Sequence, residues 1–162
     1  MRVYVPATLP LLRRWRDAGQ MPPGRGYAVT PTLREWYREG DEEEMEYVAQ
    51  LAAGRASLDL LDADVDARRL RVVVAADVAD ADVAVDPSAG RAAVVLGTAV
   101  PVSDWASALV DSDDAESAVS AAVTALGAAA AGDDDAAFAL DEAASYELGW
   151  YAVQELPDLL GG

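Results

Sequence analysis

The spacing of apolar residues along the chain predicts short strands that alternate with helices. Residues 2–5 alternate polar and apolar side chains, which is typical of a strand. Thr8 is expected to be the N-cap of a helix that carries Pro10 in its first turn and ends at Gly19. Residues 22–26 are rich in proline and glycine, so they predict a loop.

A second strand and a second helix are predicted next. Residues 27–29 indicate another short strand. Thr30 followed by Pro31 repeats the N-cap arrangement, in a helix that is expected to end at Gly40.

A long helix is predicted after that turn. It is capped by Asp41 and runs to about Asp62, with three glutamates at the positive end of its dipole. Gly54 costs about 1 kcal/mol relative to alanine in a helix, so we expect it to permit the close approach of another element. The buried face of this helix is predicted to contain Met45, Val48, Leu51, Ala52, Leu58 and Leu61.

The second half of the chain contains the clearest strand pattern. Residues 70–76 form an unbroken apolar run, which indicates a central strand buried on both faces. Residues 83–96 predict a hairpin, residues 113–131 an alanine-rich helix, and residues 148–153 a last strand. Residues 106–110 fit either a strand or a helix.

Together these elements predict the α/β class, or α+β, with helices packed on a mixed sheet of five to seven strands. We interpret residues 1–162 as one domain, because no linker or repeat interrupts the pattern. The acidic, alanine-rich segment 111–135 is the part expected to be mobile.

The composition restricts the chemistry. The sequence contains no cysteine, histidine or lysine, so thiolate, imidazole and Schiff-base chemistry are excluded. Aspartate, glutamate and tyrosine remain as acids and bases, and none of the motifs for nucleotide, metal or serine-hydrolase sites occurs. We therefore expect no cofactor, and the composition favours a non-enzymatic protein over an enzyme without deciding between them.

The charge restricts the partners. The net charge is −17, and residues 41–162 contain 26 acids but only five arginines. Such a field repels nucleic acids and anionic membranes, so neither is expected as a partner. No stretch resembles a membrane span or a signal peptide, which favours the cytoplasm.

Two aromatic segments are candidates for contact with a protein partner or a second copy. The first contains Arg34, Trp36, Tyr37 and Arg38, in which the two arginines lie one helical turn apart and could clamp an anion. The alternative is that one ring packs inward and the charges pair along the helix. The second candidate is Trp150 with Tyr151, whose side chains point to opposite faces of a strand.

Two weaker candidates concern small ligands. Thr8 and Thr30 begin helices after short strands, and helix N-termini bind anions, although ordinary capping explains both residues. Asp77, Asp80 and Asp82, with Asp86, follow the central strand and could hold a divalent cation. Their spacing fits no calcium loop, so we predict no metal.

Several stretches carry a resemblance to a known group: residues 3–12, 28–37, 40–44, 71–78 and 148–156. Together they resemble a family of small uncharacterised actinobacterial proteins. The resemblance is weakest between residues 111 and 141. It implies an actinobacterial source and a cytoplasmic setting, and it transfers no catalytic residue.

Two principal functions follow from these observations. The first is a non-enzymatic interaction module that self-associates or binds a protein. The alternative is a protein that binds a small ligand or anion, or a minor enzyme that uses carboxylates or tyrosine. A third hypothesis is DNA mimicry, which requires the carboxylates to line up on one face.

Overall fold

Strands form the middle layer of the protein. In the computed structural model, which describes residues 1–161, seven strands form one sheet and two form a separate ribbon. The strands are β1 (Arg2–Ala7), β2 (Gln20–Met21), β3 (Gly24–Ala28), β4 (Val72–Asp77), β5 (Val83–Val85), β6 (Ala93–Leu96), β7 (Val100–Pro101), β8 (Trp105–Val110) and β9 (Gly149–Tyr151). The sheet order is β5-β6-β3-β1-β4-β8-β9, and β2 pairs with β7.

Helices cover both faces of this sheet. They are α1 (Leu9–Ala18), α2 (Pro31–Trp36), α3 (Glu42–Asp62), α4 (Glu116–Ala130), α5 (Asp134–Ala144) and α6 (Leu156–Leu159). The predicted class and number of strands are confirmed. All pairings between neighbouring strands are antiparallel. The sheet is therefore antiparallel, whereas a mixed sheet with some parallel pairs was expected.

Strand β4 lies near the centre of the sheet and is buried on both faces. Val72, Val74 and Ala76 belong to the apolar cluster beneath α1 and α6. Val73 and Ala75 belong to the cluster beneath α3. Because each fully buried valine contributes about 1.5–3 kcal/mol, the strand requires a helical layer on each side. The predicted double burial of this strand is therefore confirmed.

The face that α3 turns to the sheet differs from the predicted one. Leu51 is 41% exposed, so its predicted burial is wrong, and Val48 and Ala52 are only half-buried. The predicted Met45, Leu58 and Leu61 are buried. Small residues also face inward, namely Ala49, Ala53, Gly54 and Ser57.

Ser57 explains part of this choice. Its hydroxyl donates to the Ala7 carbonyl at 2.7 Å and accepts from the Val72 N–H at 3.2 Å, where β1 and β4 end as a pair. A buried polar group is tolerated when its hydrogen bonds are made, and this one joins the helix to the sheet.

The expected role of Gly54 is not supported. A Cβ added there would have Leu148 Cδ1 at 3.9 Å as its nearest neighbour outside its own helix, which is an ordinary contact. No close approach among the described residues therefore requires glycine at this position.

Two predicted element boundaries are also wrong. Helix α2 ends at Trp36 rather than Gly40, and the Tyr37 N–H closes it on the Leu33 carbonyl at 2.9 Å. Residues 24–26 form part of β3 rather than a loop, because Gly26 pairs with Val94 of β6. Because Gly24 and Gly26 carry no side chain, this part of β3 shows no alternation of polar and apolar residues from which a strand could be predicted.

Helices α4 and α5 form an antiparallel pair against the end of α3. Leu58 and Leu61 of α3 pack with Val119, Val123 and Leu126 of α4. Most of the acidic segment 111–135 is thus helical, and its mobility stays a prediction. None of the helices in residues 1–161 is both long and apolar enough to cross a membrane.

A buried ion pair joins three parts of the chain. Arg71 precedes β4 and Asp111 follows β8, and their side chains are only 5% and 0% exposed. The Asp111 carboxylate accepts from the Arg71 N–H at 2.7 Å, from Nε at 2.9 Å and from Nη2 at 2.8 Å. Nη2 also donates to the Tyr146 carbonyl at 2.9 Å, between α5 and β9. The pair therefore fixes where these elements meet.

Asp111→Asn is expected to lower the free energy of unfolding by about 3–5 kcal/mol, because it leaves the Arg71 cation buried without its partner. Urea denaturation measures the change. Asp113→Asn is the matched control, since that carboxylate is exposed beside Arg68, and it should leave stability close to wild type. Equal losses in the two variants would contradict the role given to the buried pair.

Gly54→Ala is expected to raise the free energy of unfolding by about 0.5–1 kcal/mol, because alanine restricts the unfolded chain and fits the space beside Leu148. Gly127→Ala in α4 is the comparison, since a Cβ there has no neighbour within 4 Å among the described residues. Thermal unfolding should show a similar gain in both variants. A loss confined to Gly54→Ala would mean that this position does need glycine.

Candidate functional site

A pocket of about 360 Å³ opens beside the end of α2. Helix α3 forms one wall, with Val48, Ala52 and Ala56. The turn that leads into β6 forms another wall, and α2 and β3 complete the lining. Concave sites with an apolar floor and a few polar groups are typical of small-molecule binding. The full lining is Tyr27, Leu33, Trp36, Val48, Ala52, Arg55, Ala56, Asp59, Ala89, Gly90, Arg91 and Ala92.

An arginine stacked on a tryptophan forms the rim of this pocket. The Arg91 Cζ atom lies 3.5 Å from the centroid of the Trp36 ring. That separation is a stacking distance, at which the guanidinium and the indole attract each other electrostatically. Trp36 is nevertheless 63% exposed, so the stack faces solvent.

Hydrogen bonds to the backbone hold the segments that carry Arg91 and Trp36 next to each other. The Thr30 hydroxyl donates to the Arg91 carbonyl and accepts from the Leu33 N–H at 3.1 Å. The Ala28 N–H donates to the Ala92 carbonyl at 2.8 Å, which continues the sheet up to the turn. Thr30 therefore fixes the start of α2 and the backbone of Arg91 with one side chain.

Arg91 differs from other arginines in similar sequence surroundings. Four arginines have no acidic residue within four positions along the chain, namely Arg2, Arg25, Arg71 and Arg91. Three of them reach a distant aspartate, in the pairs Arg2–Asp77, Arg25–Asp86 and Arg71–Asp111. Within residues 1–161, Arg91 has the indole ring and no carboxylate. Its N–H groups thus remain available to a ligand.

Other polar groups of the pocket balance each other. Arg55 lies 3.8 Å from Asp59 one turn later on α3, and both side chains are largely exposed. Burial raises the pKa of the Tyr27 phenol; nearby Arg25 opposes this rise and Asp59 adds to it. The phenol is therefore protonated at neutral pH and can donate a hydrogen bond.

The predicted aromatic segment of α2 is only partly brought to this pocket. Trp36 lines it, whereas Tyr37 is 40% exposed and lies over Gly40. Arg34 makes two contacts with the Glu42 carboxylate, at 2.8 and 3.0 Å, and Arg38 Nε donates to the Glu35 carbonyl at 3.3 Å. The two arginines thus have other partners than a shared anion, and neither ring packs fully inward.

The predicted aromatic pair near the C-terminus lies at the edge of the sheet. Strand β9 places Trp150 opposite Leu109 and Tyr151 opposite Ala108, on opposite faces as predicted. Tyr151 packs against the core beneath α1, and Trp150 is 63% exposed. This pair is separate from the pocket lining.

The two threonines predicted as anion sites are buried N-caps. The Thr8 hydroxyl accepts from the Leu11 N–H at 3.3 Å, and Thr30 caps α2 as described above. Thr8 lies at the start of α1, whose buried residues pack on the opposite face of the sheet from α3. Only Thr30 therefore contributes to the pocket, as a residue that positions its backbone.

Most of the aspartates considered for a metal are paired with positively charged groups of the chain itself. Asp77 accepts from Arg2 Nε at 2.8 Å, which lowers the pKa of Asp77 against a smaller opposing effect of burial. Asp80 lies 3.2 Å from the amino group of Met1, and Asp82 is half-buried. Asp86 contacts Arg25. No group of three or more potential ligands that could hold a metal occurs within residues 1–161.

Sequence reasoning missed most of the pocket. Arg55, Asp59, Arg91 and Tyr27 come from three separated segments, and only Trp36 was a candidate beforehand. The available signal was the absence of any nearby acid around Arg91. Arg2 and Arg25 share that signal and form ion pairs, so it does not identify a site by itself.

The antiparallel sheet with helices on both faces defines a small α/β protein, and the pocket beside α2 is an amphipathic cavity at the edge of its helical layer. The model of a family of unknown function, DUF6912, matches residues 1–160, so the chain belongs to that family. Comparison with curated proteins and with solved structures gave no match.

Proposed function

We propose that this protein binds a small anionic ligand in the pocket beside α2 and does not transform it. The observation that carries the proposal is the Arg91 guanidinium, which stacks on Trp36 at the rim of the pocket. Among the described residues this guanidinium has no carboxylate partner. In a chain with 29 acids and 12 arginines, a cation left in this position is suited to recognise a carboxylate or phosphate.

The floor of the pocket supports a ligand rather than a free ion. Leu33, Val48 and several alanines supply apolar surface next to the cations. A ligand with an apolar body would gain from burial on this floor, while its anionic group meets Arg91.

The polar inventory of the pocket supports binding rather than turnover. The pocket has no imidazole, thiol or amine, since the chain contains none. Its carboxylate, Asp59, faces Arg55, and its phenol has a raised pKa. General acid–base catalysis near neutral pH favours groups whose pKa lies near the working pH, and the raised pKa moves the Tyr27 phenol away from that condition.

The charge of the chain supports the remaining parts of the proposal. A net charge of −17 disfavours nucleic acids and anionic membranes as partners. We also keep the cytoplasm as the proposed location, since a binding protein without cysteine needs no oxidising compartment.

A second candidate function is contact with a protein, and the edge strand β9 favours it. Trp150 is exposed there, and the outer backbone groups of β9 have no partner strand within residues 1–161. Exposed Tyr47 and Leu51 lie close by on α3 and line a small cavity with Leu148. An edge strand with an exposed aromatic side chain suits pairing with a second copy of the chain.

The ligand proposal predicts a thermal shift that depends on Arg91. Screened against a library of small anions, neutral compounds and cations, the wild type should be stabilised by anions that carry an apolar group. At a hundredfold excess over Kd the gain is about 2.7 kcal/mol, or roughly 5–10 °C in melting temperature for a chain of this size.

Arg91→Gln should abolish that shift. Arg14→Gln should retain it, because Arg14 is an exposed arginine on α1, on the other side of the sheet, and has no ion pair among the described residues. If no anion stabilises the wild type, or if both variants respond like it, the proposal is wrong.

The second candidate predicts self-association through β9. Light scattering at roughly micromolar to hundred-micromolar concentration should detect a dimer that strengthens with salt, because two copies with a charge of −17 repel each other. Trp150→Ser should weaken the dimer, and Phe138→Ser should not, since Phe138 is equally exposed but lies on α5. A wild type that stays monomeric throughout would exclude self-association through β9.

A further inference from the structure

The volume of the pocket indicates the size of the group that it can bury. The pocket measures about 360 Å³. Small-molecule pockets range over about 300–1,000 Å³, so this one lies at the small end. A single ring with a short substituent suits a pocket of this size.

The charges that line the pocket limit the charge of the ligand. Arg55 and Arg91 contribute two positive charges, and Asp59 removes one of them. The net charge of −17 on the whole chain adds a repulsive field for any anion. A single negative charge matches the local surplus, whereas a phosphate monoester carries about −1.5 to −2 at neutral pH. The pocket thus favours a carboxylate over a phosphate.

The stack on Trp36 positions Arg91 for this task. The Arg91 Cζ atom lies over the Trp36 ring, 3.5 Å from its centroid, which holds the guanidinium at the rim of the pocket. A planar guanidinium presents paired donors to the two oxygens of a carboxylate. The Tyr27 phenol, which is protonated, lines the same pocket as a further donor.

The apolar lining favours a ring as the apolar part of the ligand. Ala52 and Ala56 lie on α3, and Ala89 and Ala92 lie on the turn before β6. The indole of Trp36 lines the same pocket. An aromatic ring packs on small apolar side chains and also stacks on an indole or a guanidinium, so it suits this lining.

From these observations we infer that the ligand is an aromatic monocarboxylate, held by Arg91 and Arg55 with its ring on the alanine-lined floor. This inference rests on the proposed function and adds the class of ligand.

The test is an NMR titration of ¹⁵N-labelled full-length protein with four probes: phenylacetate, its neutral amide phenylacetamide, phenyl phosphate, and acetate. Phenylacetate should shift the amide signals of Gly90, Arg91 and Ala92 and saturate. The other three probes should bind at least tenfold more weakly at neutral pH, because each lacks the single charge or the ring. Because the second pKa of phenyl phosphate is about 6, lowering the pH to about 5 gives it a single charge. Its affinity should then come closer to that of phenylacetate.

The variants separate the failure of this inference from the failure of the proposed function. Arg91→Gln and Arg55→Gln should each weaken phenylacetate at least tenfold, and Arg14→Gln should not change its affinity. Phenyl phosphate binding as tightly as phenylacetate at neutral pH, dependent on Arg91, would overturn the carboxylate assignment and leave the anion pocket in place. Equal binding of phenylacetamide would overturn both ideas, as would the absence of shifts with every aromatic probe at millimolar concentration.

Discussion

The burial of both faces of β4 is the constraint on which the rest of the structure depends. A strand with Val72, Val73 and Val74 in succession exposes apolar surface on each side, so one helical layer cannot satisfy it. Helix α1 with α6 covers one face and α3 covers the other. The small side chains of α3 let it lie close to the sheet, and Ser57 joins it to the end of the β1–β4 pair.

The pocket is a consequence of how α3 crosses the sheet. The helix packs on β1, β3 and β4, and the turn before β6 lies beyond it. Helix α2 is short, because Tyr37 closes it after Trp36, and so its end stops beside this uncovered region. The cavity therefore forms between a well-packed helix and a turn, and the Arg91–Trp36 stack lies at its rim.

The distribution of arginines separates structure from candidate function. Arg71 is buried with Asp111 and ties β4, β8 and the approach to β9 together. Arg2 and Arg25 join surface elements to Asp77 and Asp86. Each of these three cations is matched by a carboxylate from a distant part of the chain. Arg91 differs from these three because its partner is the Trp36 indole ring, which leaves its charge without a carboxylate among residues 1–161.

Local patterns determined much of this protein from the sequence alone. The N-caps at Thr8, Thr30 and Asp41 could be predicted because they bond to neighbouring backbone groups. The burial of β4 could be predicted because its residues are apolar without interruption. The tertiary structure decided which face of α3 lies inward, because Leu51 fits the helical period and yet points away from the sheet. It also decided the pocket. Arg2, Arg25, Arg71 and Arg91 look alike along the chain, and only folding, which brings together segments up to 75 residues apart, gives three of them an aspartate and the fourth an indole ring.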